Sequence, residues 1–305
     1  MARSIRKWGT WFGRKGWLFV LIVMLTASCA TANQGKGEVL TTFTVLQDMA
    51  QNVAGSRLTV ASITRPGVEI HGYEPTPQDI IRGRSAVLIL DNGLNLEAWA
   101  QRYYSNFPNL PRVTLSQGIT PIPIRSGEYA GKPNPHAWMS PRNALIYVDN
   151  IRQALSQIDP DHAQEYQRRA DQYQGEIRQL DRRLRESVQK IPADRRFMVT
   201  CEGAFSYLAR DYGLQEVYLW AVNSEEQGTP QQIARVVDQV KKQNIPAVFC
   251  ESTVSDRTMT QIAQQTGAKY GGVFYVDSLT APDGSAPTYL QLLEYNINTL
   301  IRGLT

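Results

Sequence analysis

Between Asp159 and Pro192 the apolar residues Ala163, Tyr166, Ala170, Tyr173, Ile177, Leu180, Leu184, Val188 and Ile191 recur every three or four positions, with charged or amide residues between them. That spacing predicts one narrow apolar stripe on a single long helix. Asp159 ahead of Pro160 reads as an N-cap followed by proline in the first turn. Pro192 stops the helix at Ile191, because a residue before proline avoids the α region. About thirty residues at ~1.5 Å each give a rod of roughly 45 Å, long enough to rest its stripe on two lobes at once. Four heptads also fit, which would make a coiled-coil dimer. Ala and Tyr alternate where a dimer seam would want Leu and Ile, which weighs for the linking helix.

On either side of the rod, short apolar runs alternate with helical patterns. Strands are expected at Val39 to Leu46, Leu58 to Ile63, Ala86 to Leu90 and Arg112 to Leu115. Helices are expected up to Ala54, after Pro77, from Asn95 to Tyr104 and from Pro141 to Ile158. Beyond the rod, strands are expected at Phe197 to Thr200, Val217 to Val222, Ala247 to Cys250 and Gly272 to Val276. Helices there run from Gly203 to Tyr212, Pro230 to Gln243, Asp256 to Thr266 and Thr288 to Arg302. Such alternation predicts an α/β fold of two lobes, each a parallel four-stranded sheet with flanking helices, joined by one long rigid helix. The lobes would occupy 38–158 and 193–305, with the linking helix at 159–192.

The amino terminus changes the picture. Arg3, Arg6, Lys7, Arg14 and Lys15 precede an apolar run from Trp17 to Ala27, the layout of a bacterial export signal over 1–28. The run is about half of the ~20 residues a bilayer span needs. Leu25-Thr26-Ala27-Ser28-Cys29 is similar to a lipobox, in which Cys29 becomes the lipidated first residue and 29–37 a tether. Thr26 stands where leucine is usual, so cleavage without lipid stays open, while the small pair before a lone cysteine favours the lipid. The net charge of +4 is a property of the signal: past residue 28 the chain carries 27 basic and 28 acidic residues. No basic tract remains to follow a phosphate backbone, which argues against nucleic acid as a partner.

In an open parallel sheet, ligands bind beyond the carboxyl ends of the strands. His71, His136, Glu202 and Asp277 all fall there, two imidazoles from one lobe and two carboxylates from the other. Each has a bland reading. A loop histidine can be a cap, Glu202 can cap the following helix, and Asp277 can open a turn. His162 is best read that way, since it lies in the rod's first turn, away from any strand end. Yet the chain has three histidines, and two of them occupy equivalent strand-end loops.

These segments resemble the metal-binding receptors of ABC importers, the cluster A-I or family 9 solute-binding proteins, and among them the manganese-type lipoproteins. His71-Gly72-Tyr73-Glu74-Pro75-Thr76-Pro77 is similar to the family's first histidine loop and Asn134-Pro135-His136-Ala137-Trp138 to its second. Thr200-Cys201-Glu202-Gly203-Ala204-Phe205 and Tyr275-Val276-Asp277-Ser278-Leu279 resemble the segments of the third and fourth ligands. Cys201 and Cys250 depart from the family pattern. The resemblance covers the mature chain and implies capture of Mn²⁺ for an ABC permease and its ATPase subunit, by a monomeric, non-enzymatic lipoprotein held at the periplasmic face of the membrane. Two imidazoles and two carboxylates suit a harder ion with more than four contacts, such as Mn²⁺, with Zn²⁺ a tight competitor by the Irving–Williams order. Zinc-type relatives tend to carry histidine where Glu202 stands and a His-rich loop, and Glu128 to Pro133 contains none. Zn²⁺ or Fe²⁺ uptake is the alternative within the family. A metallohydrolase would keep an open metal position and a spare base, and nothing favours an adhesin.

Cys201 and Cys250 lie near the ends of the first and third strands of the second lobe, neighbours in the common doubly wound order. In an oxidising compartment, with Cys29 lipidated, they are expected to form a disulfide rather than two buried thiols or a thiolate site. A bridge next to Glu202 would aim that ligand and make a redox gate on uptake.

Overall fold

The computed structural model describes residues 37–125, 127–222 and 228–305, so the signal, Cys29 and nearly all of the tether lie outside the described residues. Chain order places β1 (Glu38–Thr41), α1 (Thr44–Ala54), β2 (Val60–Ser62), α2 (Pro77–Gly83), β3 (Ala86–Asp91), α3 (Ala100–Tyr104), β4 (Arg112–Thr114) and α4 (Pro141–Ile158) before the rod, α5 (Ala163–Gln189). After it come β5 (Phe197–Glu202), α6 (Ser206–Tyr212), β6 (Gln215–Trp220), α7 (Pro230–Lys242), β7 (Ala247–Glu251), α8 (Arg257–Thr266), β8 (Lys269–Phe274) and α9 (Tyr289–Leu304). Every strand pair is parallel, as crossover helices require.

The first four strands form one sheet in the order β2-β1-β3-β4. The second half repeats that order as β6-β5-β7-β8, but not as the single four-stranded sheet expected. Its ladders join β5 to β6 and β7 to β8, and the central seam is closed by a Cys201–Cys250 disulfide with Cα atoms 5.0 Å apart. At that seam the Glu251 carboxylate accepts from Glu202 N (3.1 Å), taking the donor that a ladder bond would use.

The rod is a helix over Ala163–Gln189 behind a tight turn at Pro160–His162, shorter than the expected span at both ends. Its stripe is buried from Tyr166 to Ile191 and belongs to one continuous core that takes in α1 and α4 of the first half and α9 of the second. Asp48 of α1 sits at this junction, its Oδ2 accepting from Tyr173 OH (3.3 Å) and Tyr289 N (3.0 Å). The helix α9 therefore packs on the rod and α1 as well as on β8.

Other differences have two causes: a buried apolar helical face, and backbone groups claimed by side chains that sequence spacing does not reveal. The Val39 to Leu46 run leaves the sheet after Thr41, because Val45, Leu46, Met49, Ala50 and Val53 bury one helical face. The helix expected from Asn95 begins at Ala100, since Gly93, Leu94 and Asn95 all have positive φ. That turn is held by Glu97, whose carboxylate accepts from Asn92 N (2.7 Å) and Gly93 N (3.1 Å). Phe205 N is taken by Glu216 (2.9 Å), so α6 starts at Ser206 rather than Gly203. Past β8, the Asn296 amide bonds both N (2.9 Å) and O (2.6 Å) of Tyr275, doing for the chain before Asp277 what a neighbouring strand would do.

Candidate metal centre

The four predicted residues converge. Glu202 is the last residue of β5, Asp277 lies three residues past β8, His71 sits in the loop between β2 and α2, and His136 sits between β4 and α4. Each offers a ligand atom, and these atoms all lie within 4.8 Å of one another. His71 Nε2 is 3.2 Å from His136 Nε2, 3.3 Å from Glu202 Oε1 and 4.0 Å from Asp277 Oδ2. His136 Nε2 is 3.8 Å from Glu202 Oε1 and 3.7 Å from Asp277 Oδ1. An ion held at about 2.1 Å by a tetrahedral set needs donors roughly 3.4 Å apart, so the cluster has the dimensions of a metal cage.

Local structure aims each donor. His71 is placed by Glu69, which accepts from His71 N (2.6 Å) and Gly72 N (2.8 Å), and by Trp99, whose indole donates to Ile70 O (2.7 Å). The loop ends in a capping box, Thr76 with Asp79, at the start of α2, and Tyr73 OH donates to the same Asp79 (2.7 Å). His136 packs against Trp138, whose indole donates to Val276 O (3.1 Å) one residue before Asp277. Next to Glu202, Gly203 has no room for a side chain: a Cβ would meet Ala221 O at 2.7 Å.

The site lies at the floor of a cleft of about 1270 Å³ whose walls carry Glu69, Glu74, Glu128 and Lys132. Three carboxylates against one ammonium favour the approach of a cation. Burial, and secondarily His71 beside it, hold His136 well below its ordinary range, so it presents a neutral imidazole. Burial first and the Glu69 charge second push Asp277 up to about 8, opposed by the Thr253 hydroxyl. Asp277 Oδ1 is buried and accepts no hydrogen bond among the described residues, an orphan that a cation would satisfy. Together these groups can bind a divalent ion with two imidazole nitrogens and two carboxylates, the ion displacing the proton held by Asp277.

His162 stays apart from the cluster, its Nδ1 3.0 Å from Asp159 Oδ1. Cys201 and Cys250 are consumed by their bond, so no thiolate joins the site. Sequence reasoning missed three supports. Glu251, fully buried and pushed by burial up to about 8, braces Glu202. Glu69 braces the His71 loop and could have been suspected from its place two residues before a histidine, where a carboxylate caps its own backbone. Asn134 stands in the same relation to His136.

Two α/β halves of matching strand order are set on one helix, with a cage of nitrogen and oxygen donors between them, as a metal-binding receptor requires. The family described as zinc-uptake complex component A, periplasmic, matches residues 39–303, and the chain belongs to it: a family of metal-binding substrate-binding proteins of ABC transporters. Among its relatives, the iron-binding protein YfeA of Yersinia pestis is 50% identical over 300 residues, 96% of each chain. The manganese-binding lipoprotein MntA of Halalkalibacterium halodurans is 34% identical over 294 residues, 94% of this chain and 97% of its own. The Mn-bound periplasmic metal-binding protein of Candidatus Liberibacter asiaticus superposes with a TM-score of 0.81 at 40% identity, over 88% of this chain and 100% of its own.

Proposed function

We propose that this protein is an extracytoplasmic receptor that captures Mn²⁺ through His71, His136, Glu202 and Asp277 and delivers it to an ABC permease powered by its ATPase subunit. The observation that carries this reading is the convergence of two imidazoles and two carboxylates, from four separate segments of the chain, with ligand atoms within 4.8 Å of one another. Carboxylates able to bind through either or both oxygens let the coordination number rise above four, which suits Mn²⁺ better than a closed tetrahedral site would. In this reading residues 1–28 are an export signal, Cys29 carries the lipid that holds a monomer at the membrane through a tether ending at Gly37, and 38–158 and 193–305 are lobes joined by 159–192. Among the described residues no helix is long and apolar enough to cross a membrane.

The 50% identity to a protein named iron-binding supports a second reading, Fe²⁺ as the cargo. Zn²⁺ remains the tight competitor whichever is true. Competitive titration of chelator-stripped protein with Mn²⁺, Fe²⁺ under anaerobic conditions and Zn²⁺, with cell-associated metal measured in a strain lacking the receptor, separates them. The manganese reading expects one site per chain and a manganese deficit in the cells. An iron deficit with manganese unchanged would replace it.

A further inference from the structure

Asn134 is buried and uses all of its side chain. Its Oδ1 accepts from His136 N (3.0 Å) and faces His136 Nδ1 (3.0 Å). Its Nδ2 donates to Gly203 O (2.6 Å) and to Ser206 Oγ (3.3 Å). A backbone N–H on one side and a backbone carbonyl on the other leave one orientation for the amide, oxygen toward His136. The ring nitrogen facing that oxygen must then carry the proton, which turns the Nε2 lone pair into the cage. Gly203 follows Glu202 directly, so the same amide is tied to the turn that aims a carboxylate of the opposite half. The main chain of Asn134 is held there too, its carbonyl accepting from Tyr207 OH (2.8 Å) of α6.

We infer that Asn134 is a positioning residue with two separable tasks: it sets the tautomer of His136, and it latches the His136 loop to the Glu202 turn so that donors from the two halves stay in register. This rests on the metal-site reading for its functional consequence, but the tautomer task is a property of the metal-free protein. The latch predicts that an ion leaves only when the Asn134–Gly203 contact breaks, so Asn134 controls the release rate beyond what His136 orientation alone explains.

Two variants of the full mature chain separate the tasks. Asn134→Asp keeps an oxygen acceptor for His136 and loses the donor to Gly203 O, whereas Asn134→Ala loses both. Long-range ¹H–¹⁵N spectra of the metal-free proteins read the His136 tautomer, and stopped-flow release of Mn²⁺ into excess chelator reads the latch. In Asn134→Asp, His136 is expected to keep its proton on Nδ1 while release accelerates about tenfold. In Asn134→Ala the tautomer becomes mixed and affinity falls about 10- to 100-fold, the usual cost of losing a partner that orients a ligand. Wild-type release in Asn134→Asp overturns the latch, and an unchanged tautomer in Asn134→Ala overturns the orienting task. Loss of Mn²⁺ binding in the wild type would instead strike the metal reading, since the spectra are taken without metal.

Discussion

The halves on either side of the rod share a strand order and differ in how they hold their ligands. In the first half a continuous ladder runs across all four strands, and the two imidazoles ride on loops fastened by side chains, Glu69 and Trp99 for His71 and Asn134 for His136. In the second half the ladder is interrupted at β5/β7, a disulfide closes the gap, and the carboxylates stand at or just past strand ends. Rigid strand ends position one set of donors, while capped loops that can rearrange position the other. The histidines are therefore the donors expected to move on metal binding, with the carboxylates as the more fixed wall.

Removing one donor from either side tests that division most severely. His71→Ala and Asp277→Asn should each cost on the order of a thousandfold in Mn²⁺ affinity, about 4 kcal/mol, more than the loss of an outer partner. Calorimetry showing unchanged affinity for either variant would sink the site. The division itself predicts that His71→Ala, on a loop, leaves thermal stability of the metal-free protein close to that of the parent.

The seam is the next contrast. Closing 49 residues by a disulfide contributes about 2–4 kcal/mol in the usual range. Reduction is expected to lower the unfolding free energy by that amount, and the urea midpoint by that amount divided by the m-value, and, because Cys201 precedes Glu202, to weaken Mn²⁺ binding while the half stays folded. Alkylation with mass spectrometry, with and without reductant, together with Mn²⁺ titration of both forms checks it. Equal affinities would end the redox-gate idea.

Buried carboxyls supply a smaller effect with a definite sign. Asp277 and Glu251, both raised to about 8 chiefly by burial, bind protons in the folded metal-free chain that the unfolded chain has released above about 4. Stability of the metal-free protein therefore falls as pH rises toward 8, by at most about 1.4 kcal/mol per proton per pH unit. His136, lowered by burial, acts oppositely and only below its ordinary value of 6.5, where the unfolded chain takes up the proton. Denaturant melts between pH 6.5 and 8 isolate the carboxyls. Saturating metal should flatten the slope, because the ion replaces the proton on Asp277.

Smallest of all is the overall change of shape. A single helix whose stripe shares one core with both halves resists hinge bending, so X-ray scattering is expected to show little compaction on adding Mn²⁺. A large decrease in radius of gyration would shift the motion from the loops to the halves.

Much of this was legible in the chain alone. The rod's stripe, the parallel α/β alternation and the four donors follow from periodicities of 3.6 and 2 and from the rule that parallel sheets bind at their carboxyl ends, all of which act over a few residues. Family resemblance of the loops around His71, His136, Glu202 and Asp277 named the ion class, and export made the Cys201–Cys250 bond the expected state. What only the tertiary structure decided are the places where a side chain distant in sequence takes a backbone donor or acceptor: Glu251 on Glu202, Glu216 on Phe205, Asn296 on Tyr275, Asn134 on Gly203. Local propensity cannot see such partners, since they lie 11 to 69 positions apart in sequence and they meet only after the sheets have formed. They cluster around the cage because donors drawn from four strand ends have no shared secondary structure to hold them in register, and buried side-chain hydrogen bonds must do so instead.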